Sequence, residues 1–308
     1  MRICSLLPSA TEMLFALGLG DQVVAVSHEC DFPDGAQSKP RVTASLMDAQ
    51  KLSSLEIDQT VAGSLERGLP IYGIDAALLQ ELRPDLIVTQ DLCTVCAVEG
   101  SQVRQLAAQL EPRPRVVSLG PSSVGDVLAS IHLLGEAAGV PERAAALVEE
   151  LEAQADRLRE ATSNLARPTV LCLEWLDPAW IAGHWMPEVV EMAGGRDVLG
   201  TGGEPSWRAT WAEVAASGAE VAIVMPCGFD VDRTLREVGT LKRVPEFVGL
   251  PAYRANCVWV VDGSAYFNRA GPRLIEGAEM LAVLLHPEAF SGPADPAAAH
   301  RLDLPLMA

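Results

Sequence analysis

Residues 141–165 contain no glycine and, after Pro141, no proline. Leu147, Val148, Leu151, Ala155, Leu158 and Leu165 fall on one stripe of a 3.6-residue period. A helix of about 25 residues is a rod of roughly 37 Å at 1.5 Å per residue. Such a rod is long enough to cross between two lobes, so the chain on either side is expected to divide there.

On both sides strands alternate with helices. "RICSLL", "QVVAVS", "DLIVTQ" and "RVVSLG" read as strands, interleaved with helices at "SATEMLFALG", "DAALLQELRP" and "EGSQVRQLAAQL". After the rod the pattern restarts with "TVLCLEW", a helix at "PEVVEMAGG", then "AEVAIVMP" and "CVWVVDG". Alternation of this kind implies a mostly parallel sheet covered by helices. Ser9 and Glu12 are spaced to cap the first helix as a capping box. The stretches "LLQELRPDLIVTQDLC" and "WAEVAASGAEVAIVMPC" share a helix, a turn, an acidic residue, a buried strand and a terminal cysteine, as two like-folded lobes would. The expected fold is α/β: two Rossmann-like lobes with mostly parallel sheets, joined by a single long helix, with a ligand cleft between the lobes. Its parts are an N-terminal lobe at 1–122, connecting helices at 123–165, a C-terminal lobe at 166–290 and a loosely held tail at 291–308.

Charge narrows the partners. Against 23 Lys and Arg stand 41 Asp and Glu, a formal charge of −18, and the basic residues are scattered. No basic stripe is available to neutralise phosphates, which sets nucleic acid aside. No apolar run reaches the length of about 20 residues that spans a bilayer. Strand-like sequence begins at Arg2, leaving no room for a signal peptide. Seven cysteines suit a reducing compartment better than a disulfide framework. A cytoplasmic monomer is the expectation from the chain as given, and an extracytoplasmic one if a signal precedes it.

Ligands of open parallel sheets sit outside the C-terminal strand ends, so the loops there carry the chemistry. Five of the six tryptophans, Trp175, Trp180, Trp185, Trp207 and Trp211, fall in "EWLDPAWIAGHWMP" and "EPSWRATW". That concentration suggests a flat apolar ligand, or else indoles that plug the lobe's own core. His28, Cys30, Cys93, Cys96 and His184 all lie on such loops. Of these, His28, Cys93, Cys96 and His184 are the donor types that zinc or cobalt prefers. Cys93 and Cys96 form a CxxC, which also permits a redox couple or a plain pocket wall. His132, His286 and His300 read as structural or terminal. The chain has no GxSxG, HExxH or GxxxxGK[ST] sequence, so no nucleophile or phosphate cradle is evident.

In order along the chain, "RICSLLPSATEMLFALG", "VSHECDFP", "LRPDLIV", "WIAGHWMPEVVEMAGG", "PSWRATWAEVAASGAEVAIV" and "AYFNRAGPRLIEGAEMLAVLLHP" resemble the cobalamin-binding substrate-binding proteins of ABC importers, within the iron-siderophore and cobalamin class. The resemblance implies a non-enzymatic protein that binds cobalamin or a related corrinoid and hands it to an ABC permease. It implies ligand contacts from His28, Glu29, Tyr72, Gln90, Cys93, Cys96, Glu174, Trp175, His184, Trp207, Tyr266, Phe267 and Arg269, and permease docking through Glu99 and Glu213. Gln90 and Ile71 stand where the family has tryptophan, and an extra segment occupies about residues 43–68. An imidazole from His28 or His184 is available as an axial ligand on cobalt. Haem or an iron chelate is the related alternative. From a different class, a metal-dependent enzyme would hold zinc or another ion on His28, Cys93, Cys96 and His184, with Glu29 or Glu174 as base.

Overall fold

The computed structural model describes residues 1–92, 98, 100–290, 295 and 297–303. The chain separates into two compact units. The first comprises Met1–Leu52, Gln59–Pro121 and Gly125–Leu151, and the second Ser53–Asp58, Ser122–Val124 and Glu152–Ala308.

In the first unit a four-stranded parallel sheet has the order β2 (Val23–Val26), β1 (Ile3–Ser5), β5 (Leu86–Gln90), β6 (Arg115–Leu119). All five residues of β5 are buried, as a strand covered on both faces requires. The strand order changes direction between β1 and β5, and crevices for ligands open at such a switch point. A separate antiparallel hairpin pairs β3 (Thr43–Ser45) with β4 (Tyr72–Ile74), setting Ser45 opposite Tyr72. The extra segment therefore starts as a strand and continues as the helix Ser54–Glu66.

The first helix corrects one expectation. It spans Pro8–Ala16 with Leu7 at the N-cap and no side-chain cap, so Ser9 lies inside the helix and Glu12 is buried. Pro8 takes the first helical position because its ring already fixes the helical φ and it has no N–H to satisfy there.

The second unit holds a mixed sheet in the order β10 (Trp207–Arg208), β8 (Trp180–Ile181), β7 (Thr169–Trp175), β11 (Val221–Val224), β12 (Val258–Val261), β13 (Ala299–Arg301), with β9 (Arg196–Asp197) beside β7. Its centre, β7–β11–β12, is parallel like β1–β5–β6, and β9 runs parallel to β7 as β2 does to β1. The two halves read as a repeat in the sequence thus share a strand succession. Antiparallel β8, β10 and β13 finish the second sheet.

Helix Pro141–Thr162 is continuous over 22 residues and buries Ala144, Val148, Leu151, Ala155 and Leu158 along one stripe. It stops three residues before Leu165, where the Thr162 hydroxyl donates to the carbonyls of Leu158 and Met192 at 3.1 Å each. Within the first unit, helix Val124–Ala138 meets it at Gly135, where a Cβ would stand 2.3 Å from that of Ala144. Only glycine permits that approach. Among the described residues no helix is long and apolar enough to cross a membrane.

The tail is a second correction. Ala299–Arg301 pairs antiparallel with β12, and Leu302 is buried in the core of the second unit. The apolar edge of a strand and a leucine-sized hole favour docking that a loose end would forgo. Leu302→Ala is expected to cost about 2–3 kcal/mol, read as a lower urea midpoint, and an unchanged midpoint would show that the terminal strand is not held.

Candidate functional site

In the first unit a pocket is lined by Leu6, Pro8, Ser27, His28, Glu29, Thr43, Tyr72 and Val98. Leu6 and Pro8 follow β1, Ser27 to Glu29 follow β2, and Thr43 and Tyr72 come from the hairpin. The guanidinium of Arg41 donates to the carbonyls of Ser27 and His28, which clamps the loop after β2.

His28 is held at both its backbone and its ring. Its backbone N–H donates to Thr43 Oγ1 at 3.0 Å, and its Nδ1 lies 2.7 Å from the same oxygen. Its Nε2 is buried beneath Glu29, 3.2 Å from Oε1, whereas the Glu29 side chain is half exposed. The Tyr72 ring packs against the imidazole at 5.3 Å between centroids. Gln90 ends β5 and is buried.

Cys30 departs from the sequence expectation. It is fully buried, with Sγ 3.1 Å from Thr11 Oγ1 and 3.3 Å from Ser27 Oγ, so it belongs to the interior and not to the pocket. Burial, with Cys30 nearby, pushes the Cys4 thiol up, so Cys4 stays protonated. Cys93, Cys96 and Glu99 lie outside the described residues, which leaves the CxxC without a structural reading. The described cysteines, Cys4, Cys30, Cys172, Cys227 and Cys257, are free thiols.

In the second unit the loop "AGHWMP" is the most constrained. Gly183 abuts a backbone carbonyl, since a Cβ there would stand 2.4 Å from Glu204 O. His184 follows with φ of +51°, a left-handed conformation uncommon for a side-chain-bearing residue. Its N–H donates to Glu204 O at 2.6 Å, and its carbonyl accepts from Gly203 N at 3.0 Å. The imidazole stacks on Trp185 at 5.6 Å, and its Nδ1 is buried with no hydrogen-bond partner. Glu174 accepts the Ser206 hydroxyl, which in turn accepts Gly183 N–H at 3.3 Å. That carboxylate buttresses the loop.

The indoles take part in packing to different degrees. Trp185 is buried with Nε1 donating to Phe267 O at 2.8 Å. Trp207 and Trp211 pack against the core of the unit, with Trp207 Nε1 donating to Leu199 O at 3.3 Å. Trp175 lies 5.1 Å from the Phe229 ring, and its Nε1 donates to Ser54 O at 3.1 Å. Phe267, expected at the ligand, is fully buried. Tyr266 is half-buried on the π turn Gly263–Phe267, with the Arg273 guanidinium 5.5 Å over its ring, and burial raises its hydroxyl pKa. Arg269 is buried, its Nη2 donating to Ser264 Oγ at 3.2 Å.

Glu213 is exposed and closes a capping box: its carboxylate accepts from Thr210 N–H at 2.8 Å and from the Thr210 hydroxyl at 2.7 Å. Those bonds, the backbone one first, hold its carboxyl below the usual carboxylate range. Among the described residues no three His, Cys, Asp or Glu gather as a metal cluster. Thr43 and Arg41 escaped sequence reading, because nothing in their spacing tells which way a hairpin and its flank will turn.

Burial lowers the pKa of His184. Above the unfolded value near 6.5 both states are neutral there, and as pH falls below it the unfolded chain takes up a proton that the folded loop resists. Stability is therefore lost on acidification. His184→Asn, which tolerates a left-handed backbone, is expected to lose less stability between pH 7 and pH 5 than the wild type in urea melts; equal losses would contradict this.

Comparison with known proteins fits this architecture. A vitamin B12-binding protein of Yersinia pestis (strain Pestoides F) is 25% identical over 292 residues, spanning 91% of this chain and 84% of that protein. The periplasmic heme-binding protein RhuT from Roseiflexus sp. RS-1, in apo form, superposes with a TM-score of 0.70 at 21% identity, over 94% of this chain and 99% of the other. The periplasmic vitamin B12 binding protein BtuF of Vibrio cholerae gives 0.66 at 19% identity, over 93% and 96%. At such identities the two structures establish the fold alone. The family model for periplasmic binding proteins matches residues 3–265, and the chain belongs to that family of solute-binding proteins.

Proposed function

We propose that this protein binds a corrinoid and delivers it, unaltered, to an ABC permease outside the cytoplasmic membrane. Family membership supports a solute carrier that performs no catalysis. The named ligands of similar proteins, vitamin B12 and haem, leave two classes of metal-bearing macrocycle to choose between.

One observation carries the choice. Among the described residues lining the first unit's pocket there is one carboxylate, Glu29, and no lysine or arginine. Haem presents propionates and ferric siderophores are commonly anionic, so either would meet like charge at Glu29 in a chain of net charge −18. A corrinoid rimmed by neutral amides would not. On the second unit, Tyr266 beneath Arg273 offers an apolar ring face, and Arg273 is near the carboxyl of Asp262, which partly offsets its charge.

His28 is the proposed axial ligand to cobalt. Imidazoles that ligate through Nε2 ordinarily rest Nδ1–H on a second group. His28 has Thr43 in that place, whereas the buried Nδ1 of His184 has no partner and would strand an N–H if its Nε2 ligated. The exposed Glu29 side chain would turn off Nε2 as cargo arrives. Glu213, charged and exposed, is the proposed permease contact on the second unit, and Glu99 its counterpart on the first.

Titration with hydroxocobalamin and, separately, with hemin tests this reading, followed by tryptophan fluorescence and the visible spectrum. Hydroxocobalamin is expected to bind at least about tenfold more tightly, a gap of about 1.4 kcal/mol. His28→Ala should move the visible band of the bound corrinoid. Tighter hemin binding would replace the corrinoid by a haem, and an unmoved band would remove His28 from cobalt.

A further inference from the structure

Ser54 opens the helix Ser54–Glu66, belongs with Ser53–Asp58 to the second unit, and is 2% exposed. Both of its backbone polar atoms are taken by side chains far along the chain. Its N–H donates to Glu237 Oε2 at 2.8 Å, and its carbonyl accepts from Trp175 Nε1 at 3.1 Å. Glu237 is itself held, because its other oxygen pairs with the guanidinium of the buried Arg233. Arg233 lies 4.3 Å over the Phe229 ring, which meets Trp175 at 5.1 Å. Trp175, Phe229, Arg233, Glu237 and Ser54 thus close a ring. Trp175 ends β7 and Phe229 follows β11, which sets the ring at the C-terminal edge of the second unit's parallel strands, where solutes of open sheets bind. Phe229 O also accepts Ser264 N–H at 3.2 Å, from the turn that carries Tyr266.

An indole has one N–H to give and a carboxylate only accepts, so Trp175 and Glu237 present one donor and one acceptor, the complement of an amide. Here the amide groups are the chain's own. Resting on the corrinoid reading above, whose neutral rim amides carry the same two groups, we propose that Trp175 and Glu237 are a site for a carboxamide of the cargo, and that the turn Ser53–Asp58 is an autoinhibitory strap that occupies it in the empty protein. The cargo amide and the strap compete for the single indole N–H, so binding undocks the turn. The exchange replaces each bond by one of the same kind and leaves neither Trp175 nor Glu237 unpaired. The strap keeps its shape on leaving: Ser53 donates to Glu56 Oε2 from its N–H at 2.8 Å and its hydroxyl at 2.7 Å, which caps the helix without help from Glu237. A solute without amides has no bonds to exchange and meets the closed strap. The extra segment therefore sets a threshold for cargo, because the apparent affinity is scaled by the fraction of molecules whose strap is open.

The test compares wild type, Ser54→Pro and Ser54→Ala. Proline deletes the N–H that Glu237 accepts, at the first helical position where its ring is well tolerated, and alanine keeps both backbone groups. In the empty proteins, hydrogen exchange over residues 55–66, read by mass spectrometry, is expected to be faster in Ser54→Pro than in wild type and Ser54→Ala. Trp175→Phe, which removes the indole N–H and keeps a ring against Phe229, should speed it as well. Titrated with hydroxocobalamin and followed by tryptophan fluorescence, Ser54→Pro should bind at least about threefold more tightly than wild type. Saturating the wild type with hydroxocobalamin should speed exchange over the same residues, and this measurement decides alone if Ser54→Pro does not fold. Equal or weaker binding by Ser54→Pro, or unchanged or slower exchange in the saturated wild type, makes the turn a fixed wall and overturns the proposal while the corrinoid reading stands. Failure of hydroxocobalamin to bind either protein overturns the corrinoid reading and the proposal with it.

Discussion

The parallel pairing of β1 with β5, Ile3 opposite Leu86 and Ser5 opposite Val88, is the constraint on which the first unit is built. Parallel neighbours need long crossovers, so each strand must be followed by a loop and a helix on the sheet's face. Every C-terminal strand end then opens on one edge, and Leu6, His28 and Gln90 arrive there from three different strands. Tertiary pairing, and not nearness in sequence, gathers the pocket.

Burial sorts the polar residues at that edge. Thr11 donates to Ser5 Oγ at 2.8 Å and lies 3.1 Å from Cys30 Sγ, which also meets Ser27, so four buried polar groups satisfy one another beneath the loop. A buried polar group left unpaired costs about 1–3 kcal/mol, which makes this set a fixed floor. On it stands Ser27, whose hydroxyl also accepts Glu29 N–H at 3.3 Å. The floor holds the loop and the hairpin holds the imidazole.

The strands and helices were legible because apolar runs such as "DLIVTQ" and the stripe from Val148 to Leu158 follow from periodicity. The weak repeat was legible for the same reason, and it appears as two matching triplets of parallel strands. Caps were less so: Ser9 to Glu12 had the spacing of a box, yet Pro8 began the helix one residue earlier, whereas Thr210 to Glu213 has the same spacing and forms one. Of the site, His28 and Tyr72 could be chosen by residue type. Thr43 could not, since its role depends on hairpin register 15 residues from the ring it supports. The tryptophans carried two readings from the sequence, because an indole is large enough for its own core to claim it; Trp185 is buried, and Trp207 and Trp211 pack part of their surface on the core.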